Sequence, residues 1–356
     1  MAQRRLLRPS RAAGLVLLTL LVTATISQTV LAQSRVATSA ASFLTLGMGA
    51  RGSALGHAYT ASATGADALL WNPAGAALRG PGGQRGSVFF SHADWIVDTD
   101  LNAFGLVIPV MGSGAFGISL AQLDYGRMDV RTVNLPDGTG ETFGASDLVI
   151  GLTYAQPLTD RFFIGGTGKW IRQNIYDMSA STMAFDIGFV LVSDYFNGLR
   201  IAASIMNFGG LMRMEGVNGR VFVDIDPTHS GSNEALPATL ETTAWSLPLS
   251  FKFGTALPVV QTSAFTLELL ADAHQTNDNE LNVDLGTEAR YDAGPVALDL
   301  RLGYKDAALG DQVQNHWAVG GGLSTSIGRT SFGADFGYIP FDVLGNVSVL
   351  DFRIGF

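Results

Sequence analysis

From about Arg85 to the end of the chain, apolar residues recur at every second position in segments of roughly ten, and Gly, Pro, Asn and Asp separate the segments. Val296 to Lys305 shows it best. Val296, Leu298, Leu300, Leu302 and Tyr304 share one face, and Ala297, Asp299, Arg301, Gly303 and Lys305 share the other. Leu281, Val283 and Leu285 stand opposite Asn282, Asp284, Glu288 and Arg290 in the same way. In the last segment Leu350, Phe352, Ile354 and Phe356 oppose Asp351, Arg353 and Gly355. A period of two is that of a strand, and no sustained 3.6-residue period competes with it. The predicted strands lie near 85–96, 101–110, 114–124, 146–157, 161–174, 182–193, 198–208, 247–258, 264–275, 280–292, 296–305, 314–326, 329–339 and 345–356, about fourteen in all.

Alternation alone fits a soluble sandwich as well as a membrane barrel. The connections discriminate. After even strands they are tight, as at Met111-Gly112-Ser113, Leu158-Thr159-Asp160, Ala293-Gly294-Pro295 and Gly328; after most odd strands they are long, notably Tyr125 to Ala145 and Gly209 to Ser246. Short turns at one rim and long loops at the other, with strands long enough to cross a bilayer at a tilt, are features of outer-membrane barrels. Both termini are expected on the periplasmic side. A closed barrel also pairs every backbone group in lipid, which an open sheet cannot do. The fold class expected is therefore all-β, a barrel of about fourteen antiparallel transmembrane strands. Asp299, Arg301, Asp335, Asp351 and Arg353 must then point inward, because a basic side chain facing lipid at mid-depth costs about 2–4 kcal/mol. Tyr154, Trp170, Tyr304, Trp317 and Tyr338 are expected near strand ends, where aromatic girdles form. Lys169 is expected inward.

The stretch Phe43 to Leu78 breaks this pattern, being too rich in Gly and Ala for a strand and too interrupted for a regular helix. It is expected to form an N-terminal periplasmic or luminal plug, within residues 33–84, ahead of a barrel over 85–356. Residues 1–32 have the design of a signal peptide: Arg4, Arg5, Arg8 and Arg11, then an apolar stretch centred on Leu15 to Val22, then Val30-Leu31-Ala32. Its removal leaves 18 basic against 31 acidic residues, a net charge of −13. Such an acidic chain without clustered Lys or Arg is not expected to bind nucleic acid. The absence of cysteine excludes disulfides and Cys-ligated metals.

Few residues suggest chemistry. Gly47-Met48-Gly49-Ala50-Arg51-Gly52 matches the dinucleotide pattern GxGxxG, but no βαβ unit surrounds it. Tight backbone packing in the plug is the expected role. Gly165-Gly166-Thr167-Gly168-Lys169 lacks the first glycine and the hydroxyl residue of a phosphate loop. His57, His92, His229, His274 and His316 are too scattered in sequence to imply a metal, and His274 with Asp278 lacks a nucleophile elbow. Acidic pairs at Asp224 and Asp226, and at Asp278 and Glu280, read as solvated loop charge. No catalytic residue, cofactor or metal ligand is expected, and the protein is not expected to be an enzyme. Arg51 and Asp67 are expected to pair with inward charges of the wall.

FLTLGMGAR, ALGHAYTA and DALLWNPAGAAL, in that order, resemble the N-terminal signature of the PorV/PorQ family, part of the wider FadL-like class of outer-membrane barrels. The Asn-Pro-Ala plug motif of that class falls here on Asn72, Pro73 and Ala74, flanked by Trp71 and Gly75 in WNPAG. LDYG at Leu123 to Gly126, YAQPLTDRF at Tyr154 to Phe162, AFDIG at Ala184 to Gly188, NFGG at Asn207 to Gly210, LPATLETTAWSLPLSFKFG at Leu236 to Gly254 and LRLGYK at Leu300 to Lys305 extend the resemblance. It implies a fourteen-stranded barrel with a hatch in the outer membrane of a diderm bacterium. It also implies a role in type IX secretion, in which secreted proteins with a C-terminal sorting domain, or other components of that pathway, are bound at the external loops. The wider class implies an alternative, a channel for hydrophobic small molecules gated by the plug.

Overall fold

A computed structural model describes residues 38–80, 83–110, 114–225, 228, 235–307, 316–341 and 344–356. The expected signal peptide and the turn at Met111-Gly112-Ser113 lie outside the described residues.

Fourteen antiparallel strands close into a barrel. In chain order they are β1 Ser87–Trp95, β2 Thr99–Pro109, β3 Ala115–Asp129, β4 Thr142–Pro157, β5 Phe162–Ile175, β6 Met178–Val192 and β7 Arg200–Gly209. There follow β8 Ser250–Gln261, β9 Phe265–Thr276, β10 Asn282–Ala293, β11 Val296–Tyr304, β12 Trp317–Ile327, β13 Thr330–Pro340 and β14 Asn346–Gly355. Each strand pairs with its neighbours in sequence, and β1 closes on β14 from Ser87↔Gly355 to Asp94↔Ser348. No strand edge is left open along the ring, so the backbone is satisfied without water.

The alternation sets which face each residue takes. Leu300 is 70% exposed on the outside, whereas its neighbour Arg301 is 4% exposed on the inside. Phe90, Phe116, Leu152, Phe253 and Phe352 continue the outer apolar surface, while Asp299, Asp335 and Asp351 are buried inside. Tyr304 and Trp317 meet edge to face on the outer surface, with ring centroids 4.9 Å apart, at the ends of β11 and β12. Trp170 departs from expectation: it lies within β5, paired with Ile150 of β4, and not at a strand end.

Two connections also differ from the sequence reading. β3 and β4 run on to Asp129 and back from Thr142, so the hairpin is strand where a loop was expected. β5 and β6 turn at Tyr176 and Asp177 alone, with Tyr176 in the left-handed region (φ 50°). Both misreadings arise where strands pass beyond the apolar belt and lose their alternation. The connection between β7 and β8 remains the longest and carries small ribbons, Leu211–Met212 on Trp245–Ser246 and Arg220–Val223 on Leu236–Thr239.

A plug occupies the lumen. Residues 38–80 run through it from the long-loop rim to the short-turn rim. Ala40 N–H donates to the Ser246 carbonyl at the long-loop rim, and Ala66 N–H donates to Ser87 Oγ at the other. Phe356 N–H pairs with the Gly86 carbonyl at the short-turn rim. The first strand thus begins, and the last ends, at one and the same rim, at Ser87 and Gly355, while the plug ahead of them reaches the other. A long connection inside the lumen was not visible in strand parity, which reports only the barrel.

Candidate functional site: the plug and the chamber above it

The plug folds as a series of short turns because glycines interrupt it. Its one α-helix, α1 Ala50–Ala54, follows Gly49 at φ 98°, and Gly56 and His57 (φ 63° and 72°) turn the chain away. The GxGxxG match thus ends in a helix of five residues. Its Ala50 N–H donates to Asp351 Oδ2 of β14 at 2.5 Å. A wall carboxylate occupies the position a phosphate would need, which removes the nucleotide reading on physical grounds.

Along α1 and the following turns the attachments are polar. Arg51 Nη2 lies 2.9 Å from Glu288 Oε2 of β10. Tyr59 and Thr60 N–H both donate to Asp272 Oδ2 of β9, at 3.0 and 2.8 Å. Asp67 accepts from Tyr59 Oη at 3.2 Å and lies 3.9 Å from Arg353 Nη1 of β14. Burial pushes the Asp67 carboxyl above its ordinary range, and Arg353 and Arg51 draw it back. Within the wall, Arg301 reaches Asp335 (2.6 Å), Asp299 (3.2 Å) and Glu288 (3.5 Å), and Arg353 reaches Asp335 at 2.6 Å. Arg51 and Asp67, picked from sequence, therefore join one network with the wall.

Trp71 to Gly75 form the other anchor. Asn72 is fully buried and caps the 3₁₀ turn Pro73–Ala77, its Oδ1 accepting from Ala74 N–H at 3.2 Å, with Pro73 at the first helical position. Its Nδ2 donates to the Thr60 carbonyl of the plug (3.2 Å) and to the Phe189 carbonyl of β6 (3.1 Å). One side chain thus joins two parts of the plug to the wall. Trp71 Nε1 donates to the Met48 carbonyl at 2.9 Å, and its ring meets His57 and Tyr59 edge to face, each at 5.5 Å. Ala74 is fully buried, and Gly75 packs against Ala63 and Ala68, where a Cβ would collide.

Sequence reasoning missed the wall's half of this fit. A Cβ on Gly188 of β6 would run into the Asn72 amide, and one on Gly303 of β11 into the Leu55–Gly56 backbone. The available signal was glycine at inward positions of the alternation, where side chains would otherwise fill the lumen.

On the long-loop side of the plug is a cavity of about 190 Å³. Leu44, Leu46, Leu70, Trp71 and Met206 give it apolar walls, and Lys252, His274, Asp284, Lys305 and Asp306 polar ones. Lys252 Nζ lies 4.9 Å from the centre of the Trp71 ring. A second cavity of about 200 Å³, with Trp95, Ile96, Ile339 and Phe341, shares Leu46, His57, Lys305 and Asp306 with it. His57 borders both. Its imidazole is held well below its ordinary value, first by loss of water against Trp71 and Gly47, then by Lys305 and Lys252. Within β7, a bulge at Met206 and Asn207 puts Asn207 at φ 63°, with its N–H donating to Asp186 Oδ1 (2.7 Å) and its Oδ1 accepting from Lys169 Nζ (3.0 Å). Lys169 faces inward and lies 2.6 Å from Asp186.

Solved structures of FadL-like barrel proteins are similar to this one in fold. The toluene transporter TbuX of Ralstonia pickettii is 13% identical, with a TM-score of 0.52 over 86% of this chain and 97% of that one. The CymD monoaromatic hydrocarbon channel is 11% identical, with a TM-score of 0.54 over 87% and 98%. A FadL homologue of Pseudomonas aeruginosa is 10% identical, with a TM-score of 0.50 over 86% and 97%. At these identities the likeness is one of fold. No family model matches the sequence, and a comparison with curated proteins gives no match.

Proposed function

We propose that the protein sits in the outer membrane of a diderm bacterium and conducts small hydrophobic molecules past its plug. The observation that carries this is the chamber above the plug, with apolar walls from Leu44, Leu46, Leu70, Trp71 and Met206 on a floor of plug residues. These five apolar side chains share the chamber with a larger set of polar and charged groups, so the solute it suits is a small one with an apolar body and a polar end. The hydrocarbon transporters and channels of the same fold support the reading. The test is uptake into vesicles bearing the purified protein. A fluorescent apolar solute should enter faster than into protein-free vesicles while a sugar does not; equal rates for the apolar solute would refute the proposal.

A second reading, that of the PorV/PorQ type, is favoured by the β7–β8 connection. Phe222, Ile225 and Leu240 stand exposed on and beside its ribbon, as a protein-binding surface would have them. In this reading the ribbon binds the sorting domain of secreted cargo or a component of the type IX pathway. Deleting Met212 to Thr228 should then abolish capture of sorting-domain protein while leaving a heat-modifiable barrel, and unchanged capture would exclude it.

A further inference from the structure

Three side chains that the sequence spaces widely converge at the roof of the chamber. His274 lies near the end of the inward row of β9, Asp284 near the start of that of β10, and Asp306 follows β11. His274 Nδ1 lies 3.1 Å from Asp284 Oδ2, and its Nε2 lies 4.0 Å from Asp306 Oδ1. One donor atom from each residue falls within 4.8 Å of the other two. Asp284 is 1% exposed, and the other two are half-buried against the cavity.

Hydrogen bonds tie the group together and fix the Asp284 carboxylate. Asp306 takes a left-handed backbone conformation (φ 59°), and its N–H donates to Asp284 Oδ1 at 2.9 Å, which leaves Asp284 Oδ2 directed at the histidine. Asn282 donates to Asp306 Oδ1. The cavity lining carries four carboxylates, Asp272, Asp278, Asp284 and Asp306, against the two ammonium groups of Lys252 and Lys305. With neutral histidines that is a charge of −2 in an enclosed space, and a divalent cation would balance it.

We propose that His274, Asp284 and Asp306 bind a first-row divalent transition ion of the zinc type, one imidazole nitrogen and two carboxylate oxygens supplying three positions and the cavity a fourth. The donor set decides the class of ion. Imidazole suits Zn²⁺, Co²⁺ and Ni²⁺. Calcium takes six to eight oxygens, about three times what these two carboxylates offer singly. In a tetrahedral site with bonds of about 2.0–2.2 Å, ligand atoms stand roughly 3.3–3.6 Å apart. The 3.1 Å between His274 Nδ1 and Asp284 Oδ2 is already close to that, and Asp306, which now faces the other ring nitrogen but offers an oxygen within 4.8 Å of the shared donor atoms, has to approach by about an ångström. Bound there, the ion would fasten the segment after β11 to β9 and β10. Asp306 also lines the neighbouring cavity, so the ion would sit where the two chambers adjoin.

The experiment uses the purified full-length mature protein in detergent, stripped with chelator, and titrated calorimetrically with Zn²⁺; Co²⁺ is added in parallel to read the visible spectrum of a low-coordinate N/O site. One ion per chain should bind, and His274→Ala and Asp306→Asn should each weaken it by at least about tenfold, the lower end of the loss seen even for outer partners of metal ligands. His92→Ala is the control, because His92, Asp94 and Asp100 form a second, more exposed cluster at the same rim. Heat-modifiability of each variant shows that its barrel is folded. Absence of saturable binding, or binding that survives both substitutions in folded protein, would overturn the proposal and leave a hydrogen-bonded His–Asp cluster. Loss with His92→Ala alone would overturn it too, by placing the ion at the exposed cluster. Neither readout depends on solute uptake, so the metal site and the channel reading fail separately.

Discussion

The two sides of the barrel wall hold the plug by different chemistry. Strands β9 to β14 present Glu268, Asp272, Asp284, Glu288, Asp299, Arg301, Asp335 and Asp351 to the lumen, all buried, and they meet α1 and the turns after it through ion pairs and backbone N–H groups. Strands β1 to β4 present Ala103, Val107, Ala121, Val149 and Ala155, with Asp147 as their one buried charge among the described residues. Ala66, Leu69 and Ala76 of the plug pack in that apolar cluster. The charged side fixes direction, since each carboxylate accepts from a particular donor. The apolar side supplies area and tolerates sliding. A plug that moves would be expected to pivot on the charged side and part from the apolar one.

Arg301→Met should give the largest effect. Its side chain is fully buried among Asp299, Glu288 and Asp335, and removing one partner of a buried pair costs about 3–5 kcal/mol. The barrel should lose heat resistance on gels, and an unchanged transition temperature would show that the charged side is not structural. Gly188→Val comes next. Overpacking against Asn72 should cost about 1–3 kcal/mol, displace the plug and raise single-channel conductance. Asn72→Ala removes a cap worth about 0.5–2 kcal/mol and frees the Thr60 and Phe189 carbonyls, so trypsin should reach Arg79 sooner. If proteolysis is unchanged, the motif does not anchor the plug.

The smallest effect concerns acid. His57 binds its proton more weakly in the folded protein than in the unfolded chain, so its contribution is present above the ordinary imidazole range and is lost as pH falls below about 6.5. Plug protection should therefore weaken between neutral and mildly acidic pH. His57→Gln should flatten that dependence, and an unaltered pH profile would assign the effect elsewhere.

Most of the barrel was legible because lipid enforces one rule on every strand. Leu300 and Arg301 must face opposite ways whatever their neighbours are, and the period of two records it. The loss of that rule explains the failures at Asp129, Thr142 and Tyr176, where strands rise past the apolar belt. Glycine and alanine content marked the plug, and Arg51 and Asp67 were evident as charges needing partners. Their partners were not evident, because Glu288 and Arg353 are chosen by barrel register and plug path, which no local pattern encodes. The same holds for His274, whose neighbours Asp284 and Asp306 come from the next strand and from the segment after β11. Gly188 and Gly303 could have been flagged as inward gaps in the alternation, yet only the plug shows what fills them.

The plug enters at the long-loop rim and is tied to β1 at the opposite one, and this makes it a thread through the barrel more than a stopper set in its mouth. A stopper can drop out. A thread whose lower end is covalently fixed at Ser87 can leave toward the short-turn rim only by drawing Ala40 and Phe43 down the full length of the lumen, past each contact that held them. The cheaper movement is a slackening between its two ends, which opens a passage beside the thread while both rims stay tied.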